Sequence, residues 1–149
     1  MTISVSWDVE SRPLADADVQ AAAQAAAVYG GQPKLELAIV LVDEEFLRDL
    51  HLRYLDDPSP TDVITFDLGE GPGPGGEVYV SVDRAREVSS ARGTSLRREL
   101  ALYVVHGVLH LCGFDDHANR DRAEMRTAEC AVLETLGYAD EPSGEHEWS

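Results

Sequence analysis

Between Val104 and Leu111 the chain sets Val104, Val105, Val108, Leu109 and Leu111 around two histidines, His106 and His110. Residues recurring every three and four positions read as a helix. One that is apolar on nearly every side must be enclosed by other elements rather than laid on a surface. The fold is therefore expected to hold this helix near its centre, largely buried, with one polar edge opening to a cleft. An imidazole in such a place needs a partner, because burying an unpaired polar group is costly.

The enclosing elements are legible from their periods. Thr2 to Trp7 alternates polar and apolar, as a strand with one buried face does. Leu14 to Tyr29 is an alanine-rich helix closed by Gly30-Gly31, and Leu35 to Val42 is an apolar, β-branched run of strand length. Asp43 caps a helix from Glu44 to about Tyr54, which Asp57-Pro58-Ser59-Pro60 breaks. Asp62 to Phe66 and Glu77 to Val82 read as two more strands, separated by a glycine-rich stretch from Gly69 to Gly76 polar and flexible enough to be a linker. A helix from about Asp83 to Ala91 follows, and Thr94 or Ser95 caps the helix that carries the histidines. An amphipathic helix from about Arg120 to Leu136 stops at Gly137. This order predicts an α+β single domain over residues 1–140, a mixed four-stranded sheet packed with about five helices, with the histidines on a central one. The polar tail, residues 141–149, reads as disordered.

A chain of 149 residues, 44% of them hydrophobic, can bury one core without staples. Cys112 and Cys130 lie in apolar or helical contexts, and no basic-then-apolar leader opens the sequence, so a reduced, cytoplasmic setting is expected. Charged residues interrupt every apolar run before the roughly 20 residues a bilayer needs, which predicts no membrane association. The formal charge of −16 argues against broad affinity for nucleic acid. The basic residues are nearly all arginine, Lys34 being the one lysine, and Arg84, Arg86, Arg92, Arg97 and Arg98 gather just before the histidines. That enrichment suits a local phosphate-binding surface, and it equally suits solvated helix faces laced by ion pairs one turn apart.

On a helix, positions i and i+4 share a face, so His106 and His110 can reach one ion. Gly113 lets the chain leave the helix, and Asp116 follows six residues after His110. The His-x3-His-x2-Gly-x2-ligand spacing is that of metzincin zinc sites. Asp116 holds the third-ligand register, and His117, one residue later, carries the commoner ligand type; carboxylate and imidazole both suit zinc. Three protein ligands leave a fourth position for water, as in catalytic rather than structural sites. Cys112 could close the tetrahedron, but two residues from His110 it points nearly opposite and belongs in the core. A protease of the His-Glu-x-x-His type has its base directly after the first histidine, where this chain has Gly107, so ordinary proteolysis is disfavoured. Glu99, two turns before His106 on a similar face, is a candidate distal base or orienting group, or a carboxylate paired with Arg98 or a neighbouring helix.

These residues resemble the YbeY endoribonucleases, also described as rRNA maturation factors. The family's His-Gly-x-Leu-His-Leu-x-Gly-Tyr-Asp-His segment is matched by His106 to Phe114, with a changed end. Tyr54 and Pro60-Thr61-Asp62-Val63-Ile64-Thr65-Phe66 are similar to its Pro-Thr-Asp-Val-Leu-Ser-Phe strand, and Gly76-Glu77-Val78-Tyr79-Val80-Ser81 to its Gly-Asp-Ile-x-Ile-Ser strand. Glu124-Met125 and Leu136-Gly137-Tyr138 also fit, so the likeness runs from about Leu35 to Tyr138. It implies a hydrolase with one zinc ion that cuts single-stranded ribosomal RNA. The expected roles are small-subunit maturation and ribosome quality control, alongside the small subunit and its assembly factors. The family's third histidine falls on Asp116 here, implying two histidines plus Asp116, and Leu55 stands where the family commonly has arginine. Arg97 and Arg98 are the arginines nearest in sequence for flanking phosphates. Two other classes share these features: a peptidase-like zinc hydrolase, and a non-catalytic ribosome-associated factor with a structural metal.

Overall fold

The structure, a computed structural model, describes residues 2–55, 61–69, 75–115 and 118–138. Four strands, β1 (Ile3–Trp7), β2 (Leu37–Val42), β3 (Val63–Asp67) and β4 (Gly76–Ser81), form one sheet in the order β1-β2-β4-β3. β1 runs parallel to β2 and β2 to β4, while β3 lies antiparallel on β4 with Val63 opposite Val80 and Asp67 opposite Gly76. Five helices accompany it: α1 (Asp16–Tyr29), α2 (Glu44–Leu55), α3 (Val82–Arg92), α4 (Leu96–Leu111) and α5 (Asn119–Thr135). The expected mixed four-stranded sheet and five helices are thus present.

The sheet's two faces differ because side chains alternate along each strand. Leu37, Ile39 and Leu41 of β2 and Val78 and Val80 of β4 are buried in the main core with α1, α4 and α5. The opposite face holds a smaller cluster of Val42, Leu47 and Ile64, flanked by Phe66 and Tyr79 and covered by α2. Asp43 starts α2 as expected, its Oδ1 accepting from the Phe46 amide at 2.7 Å. β4 ends one residue earlier than its apolar pattern suggests. Ser81 turns out of the strand to accept from the Arg84 amide at 3.0 Å, and Val82 opens α3. The glycine-rich stretch joins an antiparallel pair rather than two separate layers; its middle, 70–74, and the 56–60 break lie outside the described residues, as does the 141–149 tail.

The centre of the molecule is α4. It touches α1, α3 and α5 and crosses β3 and β4, and every residue from Glu99 to Leu109 is buried. Small residues make this enclosure possible. Ala22, Ala23, Ala26 and Ala27 of α1 are fully buried in the same core. On the sheet side, a Cβ at Gly107 would stand 2.6 Å from Val78 Cγ1 and 3.0 Å from Val63 Cγ1, so the helix approaches the strands where it has no side chain. No helix among the described residues is long and apolar enough to cross a membrane.

Candidate metal centre

Ser95, not Thr94, caps α4, accepting from the Arg98 amide at 3.2 Å. The other end closes as a Schellman turn: Phe114 N–H donates to Leu109 O at 3.1 Å and Gly113 N–H to His110 O at 3.0 Å. Gly113 takes the positive φ of 107° that this turn needs, and Phe114 packs on Tyr29 with ring centroids 6.2 Å apart. The chain thereby leaves the helix at Gly113, as expected. Asp116 and His117, the two candidates for that ligand, lie outside the described residues. Among the described residues no group of three or more His, Cys, Asp or Glu side chains gathers for a metal.

His106 and His110 occupy one edge of α4 in different environments. His110 is exposed in the last turn of the helix, one residue from its end. His106 is 8% exposed, and its Nδ1 lies 2.6 Å from Oε2 of Glu129, itself 4% exposed on α5. A carboxylate only accepts, so Nδ1–H donates and Nε2 is the ring's other nitrogen. This is the carboxylate–histidine arrangement that steadies metal-binding imidazoles. The donor set fits zinc on that ground: one oriented imidazole and one accessible imidazole a turn away.

Sequence reasoning missed Glu129. The signal was present, because Met125, Ala128, Glu129, Val132 and Leu133 form the buried stripe of α5 and one of the five is an acid.

Glu99 lies two turns from His106, about 10 Å along the axis at 1.5 Å per residue. It is buried, and its charge acts on the Tyr103 phenol one turn along the helix. Nearby, buried Asp62 pairs with Arg84 at 3.0 Å; burial works against the guanidinium charge, and the hydrogen bond and charge of Asp62 outweigh it, so Arg84 holds its proton more tightly than usual. Burial, then the charges of Asp62 and Glu99, push the Tyr103 phenol well above its ordinary 10.0. The neutral phenol's contribution to stability is whole below that ordinary value. Above it the unfolded chain releases the proton and the folded chain keeps it. Stability should then fall by up to ~1.4 kcal/mol for each pH unit. Urea unfolding between about pH 9 and 11 is expected to show this extra loss in the wild type and not in Tyr103→Phe; equal slopes would refute it.

Arg97 and Arg98 sit in the first turn of α4, roughly 20 Å along the axis from His110. Arg97 is exposed with its guanidinium 3.9 Å from Asp18, and Arg98 is half-buried. The structure does not bring either to the histidines. Arg120 and Arg122 are exposed in the first turn of α5, the helix whose Glu129 meets His106; Arg120 pairs with Glu124 at 3.4 Å and Arg122 donates to Asn119. Arg53 is tied to Asp49 one turn back at 3.2 Å, and the exposed Tyr54 rests edge-on against Phe66. Cys112 is half-buried, and burial raises its thiol pKa, which disfavours the thiolate a zinc ion would take.

Known proteins share this fold and sequence. A solution structure of a Thermotoga maritima protein superimposes with a TM-score of 0.62 over 93% of this chain and 94% of that one, at 20% identity, a likeness of fold. A Salinibacter ruber protein named endoribonuclease YbeY is 38% identical over 143 residues, covering 90% of this chain and 91% of its own. A Nocardia farcinica protein of the same name is 39% identical over 114 residues, 68% of this chain and 62% of that relative. The family model described as endoribonuclease YbeY matches residues 6–137, a span that contains the whole sheet except the start of β1, and both histidines: the chain belongs to the YbeY family.

Proposed function

We propose that this protein is a zinc-dependent endoribonuclease that cuts single-stranded ribosomal RNA in small-subunit maturation and ribosome quality control. The observation that carries the metal reading is the buried His106–Glu129 pair, one turn from exposed His110 on the same helix. Family membership supports RNA as the substrate. His106, His110 and Asp116 would hold one ion, with His117 as the alternative third ligand. When bound, zinc supplies a Lewis acid that lowers the pKa of its water and offsets charge developing on the phosphodiester.

The protein's own groups do the rest. Glu129 fixes the His106 ring, and the turn at Gly113 ends the helix just after His110, so that the following segment can supply the third ligand. Glu99, buried against Tyr103, acts as an orienting group within the α4 packing rather than as a base at the reacting atoms. Arg120 and Arg122, exposed on the helix that carries Glu129, are the candidates for phosphates next to the cut. Arg97 and Arg98, at the far end of α4, would reach only phosphates several nucleotides away. With a formal charge of −16, affinity for naked RNA should be weak and salt-sensitive, so a ribosomal partner that presents the strand fits the surface.

The peptidase alternative has packing against it, because the position after His106 has no room for the base that chemistry uses. The test is the full chain, metal-stripped and reloaded with zinc, offered single-stranded ribosomal RNA and an unstructured peptide in parallel. Zinc-restored RNA cleavage with the peptide intact is expected. Peptide cleavage, or RNA cleavage equal with and without metal, would reject the reading. Metal content of Asp116→Ala and His117→Ala then assigns the third ligand: retention of zinc by Asp116→Ala with loss in His117→Ala would reverse the order given above.

A further inference from the structure

Glu129 is a carboxylate in a helical stripe where Met125, Ala128, Val132 and Leu133 are otherwise apolar, and it is 4% exposed. Burying an acid there is costly unless a specific partner satisfies it. That partner is His106 Nδ1, at 2.6 Å, itself on a buried face and reached from a different helix 23 residues away. We propose that Glu129 is a positioning residue: it holds His106 as the Nδ1–H tautomer and sets the ring so that Nε2 keeps its lone pair for the ion. This rests on the zinc reading above and adds the residue that prepares the site before any ion arrives.

The geometry makes the contact more than a packing feature. A neutral imidazole left to itself favours the proton on Nε2, which would put hydrogen on the nitrogen the ion needs. A carboxylate on Nδ1 reverses that preference, because it can accept a proton's hydrogen bond and has none to give. It also fixes the ring against rotation, since both partners are buried inside helices that pack on one another. An alanine at 129 would preserve the helix and remove both effects. A glutamine would keep the shape and one acceptor oxygen.

The experiment uses the full chain without metal. The two ring nitrogens of His106, assigned through loss of its signals in His106→Ala, are read by nitrogen-15 NMR in the wild type, Glu129→Gln and Glu129→Ala, with circular dichroism confirming the fold of each. Zinc alone is then titrated into each protein. The wild type is expected to show protonated Nδ1 and unprotonated Nε2. Glu129→Ala should move the proton toward Nε2 and weaken zinc by roughly 10- to 100-fold, with Glu129→Gln between them. Glutamine's rescue covers the case in which the alanine variant does not fold. Wild-type His106 with its proton on Nε2, or variants with unchanged tautomer and unchanged zinc affinity, overturns the proposal. A wild type that takes up no zinc overturns the zinc reading first, and that failure shows before any variant is compared.

Discussion

His110→Ala is expected to lower zinc affinity by more than about 100-fold, beyond the loss typical of an outer-sphere partner, and to abolish RNA cleavage while leaving the fold nearly as stable as before. The reasoning is positional. His110 is exposed at the end of α4, so its imidazole contributes little to the core, and surface substitutions of this kind usually stay within about 0.5 kcal/mol. His106→Ala should lose the same zinc and the same activity but behave differently on heating. It removes a buried ring and leaves Glu129 enclosed without its hydrogen-bond partner, a change of about 3 kcal/mol or more. Zinc titration and thermal unfolding of the two variants side by side separate ligand loss from core damage. Retention of zinc and cleavage by His110→Ala would remove the histidine pair from the site altogether.

That contrast between two histidines on one helix marks where sequence reading reached and where it stopped. The apolar surroundings of His106 announced a buried helix, and its enclosure by α1, α3, α5 and the sheet follows from them. Strand and helix order was equally legible because each element carries its own period; β3 lies one residue later than read, and β4 one residue earlier, where Ser81 caps α3. The partner of His106 was harder to see. Contacts between helices depend on how two stripes face each other, and a sequence shows each stripe alone; the acid in the α5 stripe was visible, its target was not. The arginines failed for a related reason. Arg97 and Arg98 are near the histidines along the chain, but a helix converts nine residues of separation into about 13 Å of distance. Contact across helices works the other way: Glu129, 23 residues beyond His106 in the chain, is the side chain that meets it.

Gly107 shows the reverse case, a residue whose absence of side chain was read chemically and turns out to be required physically. Gly107→Glu would write the His-Glu-x-x-His motif into this chain, and the expected result is loss of the fold rather than gain of a peptidase. Its Cβ would stand 2.6 Å from Val78 Cγ1, 3.0 Å from Val63 Cγ1 and 3.3 Å from Thr65 Cγ2, with Val78 fully buried in a strand paired on both sides. Branched side chains in a strand have little rotamer freedom, so the backbone must move, at about 1–3 kcal/mol for overpacking alone. The carboxylate beyond that Cβ then enters an apolar interface between helix and sheet, adding several kcal/mol for an unpaired buried charge. Together these approach the roughly 5–15 kcal/mol that holds a domain of ordinary stability. Gly107→Ala isolates the first part: its clash is offset by about 1 kcal/mol of better helix propensity, so a net loss of roughly 0–2 kcal/mol is expected. Urea unfolding of both variants checks the sequence of effects, and a Gly107→Glu protein as stable as the wild type would mean that α4 does not lie on β3 and β4 as described. The glycine after His106 is therefore a packing requirement of this fold, and any base the reaction uses must come from outside that helical turn.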